Sequence, residues 1–435
     1  MFTIITGSQF GDEGKGKIVD LLAKDYDIVV RFQGGNNAGH TVVVKDKTYK
    51  LHTIPSGVLY NSRLLIGPGV VLNPKILMEE IAGVGGISTF NKEKLGIDAK
   101  TSIIMPYHLE LDELSEKKRP SKIGTTKRGI GFAYMDKIAR DEIQFADLIN
   151  KEQFLKRVSE LAPQKEAMIS SLGGNPDVVR DKALIQEYIE IGEQLKDYVT
   201  DVSYEVNMAI EDGKKVLAEG AQGAHLDVIH GTQKYVTSSC TISGSACANL
   251  GVGPTKVDNI IGIVKAYITR VGGGPLPTEL KDEVGEHLRQ KGKEFGTTTG
   301  RPRRCGWFDF PLVKKAVYLN GYTSLALTKL DVLTGLNQIK ICIAYRLKGK
   351  ILEYPPELSR DLEKCKPVYM EMEGWKEDLN QVKTYHDLPI NAKKYISKLE
   401  ELIGVNIKYI SVGPERDQIV RNDNDSLIVD NQYDN

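Results

Sequence analysis

The sequence has no excess of charge of either sign, because 58 lysines and arginines are matched by 58 aspartates and glutamates. Proteins that bind nucleic acid through its phosphates concentrate basic charge, so this balance argues against a nucleic-acid partner and leaves only local anion sites. The sequence also lacks a run of about 18 apolar residues, which a membrane-spanning helix needs. We therefore expect neither a nucleic-acid partner nor a membrane.

Cysteine is scarce as well. The five cysteines are an odd number and none belongs to a CxxC pair, so neither a disulfide framework nor a familiar zinc pattern is indicated. With no secretory leader recognisable at the start, this composition favours reduced thiols and a cytoplasmic location. The 435 residues can bury a large core, and by size alone two or three domains would be allowed.

The most informative stretch lies near the start of the sequence. An apolar run at 2–5 leads into Thr6-Gly7-Ser8-Gln9-Phe10-Gly11-Asp12-Glu13-Gly14-Lys15-Gly16-Lys17, and apolar residues at helical spacing follow. A strand, a glycine-rich turn and a helix in this order suit a phosphate chain with its magnesium ion. The strict Walker pattern fails, because Ile18 stands where a hydroxyl is required. Taken alone, the turn also fits a tight connection in which Asp12 only caps the helix.

Other segments predict an α/β fold. A second buried strand over 27–32 completes a βαβ unit, which implies a parallel sheet, and it leads into a polar loop, 33–40, that suits a ligand. We also predict a hairpin over 41–54 with its turn at 45–48, a helix over 74–83, a helical insertion over 141–213, one strand over 258–270, and shorter strands at 216–219, 325–327 and 407–410. The predicted fold class is one large α/β domain, residues 1–435, around a central, mostly parallel sheet with helical and hairpin insertions.

Two polar segments indicate the kind of ligand. Thr328-Lys329-Leu330-Asp331 follows a predicted strand and resembles the guanine-reading motif of GTP-binding proteins. A carboxylate can accept from both N1–H and N2–H₂ of guanine, a donor pair that adenine lacks. Thr297-Thr298-Thr299-Gly300-Arg301-Pro302-Arg303-Arg304 combines hydroxyls with guanidinium groups, which bind carboxylates or phosphate. The alternatives are a strand-end lysine with a turn aspartate, and a solvated basic loop.

Seven segments, in this order along the chain, closely resemble adenylosuccinate synthetase. The resemblance runs from residue 3 to about 416. It is carried by Gly11-Asp12-Glu13-Gly14-Lys15-Gly16-Lys17, Gly34-Gly35-Asn36-Asn37-Ala38-Gly39-His40-Thr41, Gly124-Thr125-Thr126, Glu219-Gly220-Ala221-Gln222-Gly223, Val236-Thr237-Ser238-Ser239, Thr298-Thr299-Gly300-Arg301 and Thr328-Lys329-Leu330-Asp331. The residues alone predict a GTP-using enzyme with an anionic second ligand. The resemblance implies GTP-dependent ligation of L-aspartate to IMP through 6-phosphoryl-IMP, giving adenylosuccinate, GDP and phosphate, with Mg²⁺ as cofactor.

The resemblance also implies roles for individual residues. The catalytic set would be Asp12, Lys15, His40 and Gln222, with Asp12 removing the N1 proton of IMP and binding Mg²⁺ together with the Gly39 carbonyl. IMP would contact Asn37, Thr126, Arg140, Gln222, Thr237 and Arg301. The substrate aspartate would contact Thr297, Thr298, Thr299 and Arg301, and Arg303 would reach both this region and the nucleotide. GTP would contact Gly11, Asp12, Glu13, Gly14, Lys15, Gly16, Lys17, Gly39, His40, Thr41, Arg303, Lys329, Asp331, Ser411, Gly413 and Pro414. Arg140 would reach the site of a neighbouring subunit, which implies a homodimer.

Four positions depart from the family pattern: Lys127, Ile229, Cys240 and Pro302. None of them is a proposed catalytic group. Two other functions fit parts of the sequence. A GTP-dependent regulatory switch would need neither Asp12 nor His40 nor the arginine-rich loop, and an ATP-dependent small-molecule kinase is disfavoured by Asp331.

Overall fold

The structure is a computed structural model that describes residues 1–44, 47–87, 89–296 and 300–422; the side chains of 40–44, 47, 48 and 50 are also outside the description. The strands in chain order are β1 (Phe2–Gly7), β2 (Ile28–Arg31), β3 (His40–Val44), β4 (Lys47–Leu51), β5 (Arg63–Ile66), β6 (Val71–Leu72), β7 (Leu95–Asp98), β8 (Ser102–Ile103), β9 (Val199–Thr200), β10 (Val216–Glu219), β11 (Asn259–Lys265), β12 (Ile268–Arg270), β13 (Arg304–Gly306), β14 (Phe308–Asp309), β15 (Ser324–Thr328), β16 (Gln338–Leu347), β17 (Lys350–Leu352), β18 (Lys366–Glu373), β19 (Ile407–Ser411) and β20 (Ile419–Arg421).

The α-helices in chain order are α1 (Lys15–Ala23), α2 (Pro74–Gly83), α3 (Pro106–Lys118), α4 (Ile130–Ala139), α5 (Phe145–Leu148), α6 (Lys151–Ser171), α7 (Lys182–Leu195), α8 (Val202–Glu211), α9 (Gly244–Leu250), α10 (Glu283–Lys291), α11 (Phe310–Asn320), α12 (Ser359–Leu362) and α13 (Ile390–Ile403). Helix α2 has the predicted bounds. Pro74 occupies its first position, and the Asn73 side chain accepts from the N–H groups of Lys75 and Ile76. Of the helices described, none is long and apolar enough to cross a membrane.

A large sheet forms the centre of the molecule. In the described part of the chain it has ten strands in the order β20-β19-β15-β11-β1-β10-β2-β5-β7-β9, and each neighbouring pair is parallel except β19 and β20. The carboxyl ends of the parallel strands therefore lie along one edge, where open α/β sheets bind their ligands. This architecture confirms the predicted fold class.

Apolar residues alternate between the two faces of the sheet. In β1, Ile5 packs into a cluster that includes α1 and α2, whereas Phe2 and Ile4 pack with α8 and α9 on the opposite face. A third cluster packs α11 and α13 around β15 and β19. Both faces of the sheet are thus covered by helices, which is why its central strands are rich in apolar residues.

The structure corrects two predicted elements. The single strand predicted over 258–270 is divided into β11 and β12, because the Gln9 side-chain amide donates to the carbonyls of Lys265 (3.4 Å) and Tyr267 (3.1 Å) and β12 then pairs with β13. The second hairpin strand runs from Lys47 to Leu51, so it begins inside the predicted turn, 45–48, and ends before Ile54. Beyond it, the N–H groups of 52–54 donate to the Glu80 carboxylate and have no strand partner.

The segment 141–213, predicted as a helical insertion, contains helices α5, α6, α7 and α8. It also contributes β9, a two-residue strand at the edge of the central sheet that pairs with β7.

Candidate active site

The loop between β1 and α1 is built around a buried carboxylate. Glu13 accepts from the N–H groups of Gln9 (3.0 Å) and Gly11 (2.9 Å). A Cβ on Gly7 or Gly223 would lie 2.4 Å from its carboxylate oxygens, so both positions need glycine. The Glu13 side chain therefore shapes the loop from inside, and only its backbone remains for a nucleotide.

The start of α1 is open to an anion. Gly14, its N-cap residue, has the left-handed conformation (φ 89°), and no side chain in the described part of the chain caps the helix. The interpretation of Asp12 as a helix cap is therefore wrong. The first N–H groups of α1, including that of Gly16, remain for an anion, which the helix dipole also favours.

Two lysines of α1 have different surroundings. Lys15 is 3% exposed and donates to the Glu13 carboxylate (2.7 Å) and to the Gln222 carbonyl. Lys17 donates to the hydroxyl of Ser411, the last residue of β19 (2.9 Å), and to the carbonyls of Gly413 (2.6 Å) and Gln418 (3.1 Å) beyond it. Burial lowers the pKa of Lys17 to about 8. The exposed Pro414 follows the same turn.

Asp12 faces an arginine from the far end of the sequence. Its Oδ2 accepts from Nε of Arg303 at 2.8 Å, and Nη1 of Arg303 donates to buried Glu294 at 2.7 Å. Asp12 has a positive φ of 58°, which turns the chain sharply at this point. The geometry brings the candidate base next to the arginine-rich segment, and Arg303, 8% exposed, is not part of a solvated loop.

The candidate guanine motif, 328–331, lies beside the loop between β1 and α1, the candidate phosphate loop. Thr328 ends β15 and donates from Oγ1 to the Glu13 carbonyl at 2.6 Å. Lys329 has a φ of 61° and donates to the Gly292 carbonyl at 2.7 Å. Burial raises the pKa of Asp331, and its Oδ1 is shielded from solvent without a hydrogen-bond partner among the described residues. A shielded acceptor of this kind is costly unless a ligand donates to it.

A second group of polar residues lies beyond β2 and β10. Gln222 donates from Nε2 to Oδ1 of Asn37 at 3.0 Å, while its own Oε1 is buried without a partner among the described residues. Arg301 contacts the carbonyls of Gly124 (3.2 Å) and Thr125 (3.4 Å), and so lies beside Thr126. Thr237 is half-buried, with its N–H bonded to the Leu226 carbonyl. Together these groups could bind a polar heterocycle.

Arg140 makes no hydrogen bond or ion pair with this group among the described residues. It follows α4 in the left-handed conformation (φ 68°) and is exposed, beside Ile138, which is 81% exposed. Gly39 directly precedes β3. Several predicted contacts fall outside the described residues: Thr297, Thr298 and Thr299 entirely, and His40 and Thr41 in their side chains.

Known proteins match the chain along nearly its whole length. The family model for adenylosuccinate synthetase matches residues 4–420. Adenylosuccinate synthetase 2 of Methanosarcina acetivorans is 68% identical over 420 residues, which cover 96% of this chain and 99% of the relative. The Carboxydothermus hydrogenoformans adenylosuccinate synthetase is 52% identical over 421 residues, with 96% and 98% covered. A solved structure, fully ligated adenylosuccinate synthetase from Plasmodium falciparum, superposes with a TM-score of 0.92 at 41% identity, covering 97% of this chain and 99% of that one.

The chain belongs to the adenylosuccinate synthetase family.

Members of the adenylosuccinate synthetase family are GTP-consuming ligases of purine biosynthesis. The chain therefore joins L-aspartate to IMP, the first committed step from IMP to AMP. The family, the enzyme class and the reaction predicted from the sequence are confirmed, whereas the roles assigned to individual residues stay predictions.

Sequence reasoning missed three residues that shape this adenylosuccinate synthetase site: Gln9, Lys265 and Glu294. The Gln9 side chain binds backbone groups of Lys265 and Tyr267, Lys265 Nζ donates to Glu294, and Glu294 accepts from Arg303. Two signals were present in the sequence. Lys265 directly follows an uncharged run, 260–264, of apolar residues and one glycine, and Glu294 is the only acid among the basic residues between Lys291 and Arg304.

Proposed function

We propose that ligation proceeds through 6-phosphoryl-IMP, formed when one GTP spans the loop after β1 and the motif after β15. The observation that carries this placement of GTP is the 2.6 Å hydrogen bond from Thr328 to the Glu13 carbonyl, which joins the loop after β1 to the candidate guanine motif. One GTP molecule could then place its phosphates at the start of α1 and its guanine at Asp331. The unpartnered Oδ1 of Asp331 would accept from the guanine edge.

Asp12 is the proposed base. The C6 oxygen of a purinone is a poor leaving group, and removal of the N1 proton makes that oxygen nucleophilic toward the γ-phosphorus of GTP. The bond from phosphorus to the β,γ-bridging oxygen breaks, and GDP leaves. His40 would stabilise the transferring phosphoryl group, and Lys15 lies next to the phosphate loop. The amine of aspartate then attacks C6 and displaces phosphate, which gives adenylosuccinate.

The donor set suits Mg²⁺. The structure places no group of three or more His, Cys, Asp or Glu side chains that could hold a metal within the described ranges. Mg²⁺ in nucleotide enzymes typically uses one or two carboxylates and takes its other ligands from phosphates and water. Asp12 is 29% exposed at the loop surface, so it could supply that carboxylate, and the Gly39 carbonyl could supply a second oxygen. When bound, the ion would neutralise charge on the phosphates.

The remaining contacts divide between two substrates. Asn37, Gln222, Thr126 and Thr237 would bind IMP. Arg301 would contact both IMP and the aspartate carboxylates, which Thr297, Thr298 and Thr299 would also bind. Arg140 is exposed at the end of α4, as a residue serving a second subunit must be, so we propose a homodimer. A cytoplasmic location is part of the same proposal.

One assay tests the reaction. The protein is incubated with IMP, L-aspartate, Mg²⁺ and either GTP or ATP, and the products are identified by mass. Adenylosuccinate formed with GTP and not with ATP is expected. GTP hydrolysis without a new C–N bond would identify a regulatory switch, and a stable phosphorylated product would identify a kinase; either result would overturn the proposal.

A further inference from the structure

Glu294 is a buried acid shared by two cations. Its side chain is 0% exposed and accepts from Lys265 Nζ (3.0 and 3.1 Å), Arg303 Nη1 (2.7 Å) and Tyr267 Oη (2.5 Å). Burial alone would favour the neutral acid, but Lys265, Lys329 and Arg303 lower the pKa of Glu294 to about 2. A carboxylate with this many charged partners holds them in fixed positions.

Arg303 connects Glu294 to the candidate base. The guanidinium is planar and rigid, so an arginine held at one edge has its other edge directed as well. Nη1 binds Glu294, and Nε binds Asp12 at 2.8 Å. Of these two carboxylates, Glu294 is fully buried, whereas Asp12 is 29% exposed. Glu294 is therefore the fixed partner, and Asp12 is the one that ligands can reach.

Backbone hydrogen bonds also join the segment around Glu294 to the segment around Arg303. The N–H of Arg303 donates to the Glu294 carbonyl (2.9 Å), and the N–H of Gly296 donates to the Arg301 carbonyl (2.8 Å). Two residues before Glu294, the Gly292 carbonyl accepts from Lys329 of the guanine motif. One short segment thus contacts the guanine motif at one end and, through Arg303, Asp12 at the other.

We propose that Glu294 is a positioning residue for the ligation. It acts through Arg303, whose guanidinium it holds at the catalytic carboxylate and toward the aspartate side of the site, and it touches no substrate itself. This inference rests on the roles proposed above for Asp12 and Arg303.

The test compares two glutamate-to-glutamine variants. Glu294→Gln removes the charge next to Arg303. Glu279→Gln removes the corresponding charge from the neighbouring Arg304, which Glu279 binds at 2.9 and 2.6 Å and which does not contact Asp12 in the structure. For Glu294→Gln we expect kcat to fall about 100-fold, since misplaced groups cost about this much. The KM values for aspartate and for GTP should both rise, because Arg303 would reach both substrates, while the KM for IMP changes less than about threefold, a division that general destabilisation would not produce. Glu279→Gln should match the wild type.

Non-additivity is the second readout. If Glu294 acts through Arg303, Glu294→Gln should add little to the loss already caused by Arg303→Met. Should Glu294→Gln fail to fold, Glu294→Gln combined with Lys265→Met removes both members of the buried pair and avoids an unpaired charge; the same kinetic losses are expected.

Failure of the proposed function and failure of the proposed role of Glu294 give different experimental results. A wild-type protein that makes no adenylosuccinate overturns the proposed function. In an active wild-type background, equal kinetics of Glu294→Gln and Glu279→Gln, or losses that add fully to those of Arg303→Met, overturn the role of Glu294.

Discussion

A substitution at Asp331 tests whether this carboxylate selects guanine as the base of the nucleotide. Its shielded Oδ1 can accept from guanine, and an asparagine amide could instead donate to the C2 oxygen of xanthine. For Asp331→Asn we expect kcat/KM with GTP to fall about 10- to 100-fold, the cost of losing hydrogen bonds to a charged group. Activity with XTP should rise. Steady-state rates with both nucleotides measure this, with the exposed Asp378→Asn as control. Equal losses with GTP and XTP would contradict base recognition by this residue.

A substitution at Asp12 tests whether this carboxylate removes the N1 proton of IMP. An asparagine keeps an oxygen that can accept from Nε of Arg303, so the loop contact survives while the base and the anionic metal ligand are lost. We expect Asp12→Asn to lower kcat by more than the roughly 100- to 10,000-fold usual for a general base, because two functions are removed together. Adenylosuccinate formation is measured, with the exposed Asp25→Asn as control. Near-normal turnover would refute the assignment.

At the scale of elements, the loop after β1 depends on close packing against the turn after β10. A Cβ on Gly223 would lie 2.4 Å from Oε1 of Glu13 and 2.6 Å from the N–H nitrogen of Gly11. Gly223→Ala should therefore displace the loop, lower stability by about 1–3 kcal/mol and raise the KM for GTP. Gly253→Ala is the matched control, because a Cβ there meets nothing within 4 Å. Thermal unfolding and GTP kinetics measure both variants, and equal behaviour would contradict the packing argument.

Local patterns predicted the elements whose signals lie within a few residues. The order of strand, turn and helix at the start, and α2 with its proline and asparagine cap, were confirmed because their determinants are adjacent in sequence. The break between β11 and β12 and the end of β4 were not predictable in this way. They depend on the side chains of Gln9 and Glu80, which bind backbone groups far away in the chain.

For the candidate site too, local sequence patterns did not predict contacts between residues far apart in the chain. Motifs indicated a candidate phosphate loop and a candidate guanine segment, but not that Arg303 binds Asp12 or that Glu294 binds Arg303 from the other side. These contacts join residues that only the folded sheet brings together. A lone acid in a basic segment was visible in the sequence, yet its burial was not, because burial depends on the elements that cover it.

At the scale of the whole molecule, the parallel sheet explains why distant segments meet. The turns after β1, β2, β10, β15 and β19 share one edge, so residues from both ends of the chain come to the edge where the proposed site lies. Helix α4 connects the loop that carries Thr126 to the outer surface of the molecule. The helix begins after that loop, and Arg140, which follows its last residue, is exposed to solvent. A second subunit would then complete the proposed site by supplying its Arg140.

Mixed dimers test this completion by a second subunit. In a mixed dimer of Asp12→Asn and Arg140→Leu chains, the Arg140→Leu chain keeps its own Asp12 and would receive Arg140 from its partner. Random reassociation makes about half of the dimers mixed, each with one complete site, so the mixture should recover about one quarter of wild-type activity. Replacing the Asp12→Asn chain by one carrying both substitutions leaves every site incomplete and should recover none. If native mass spectrometry shows mixed dimers while activity stays absent, Arg140 does not serve the partner's site.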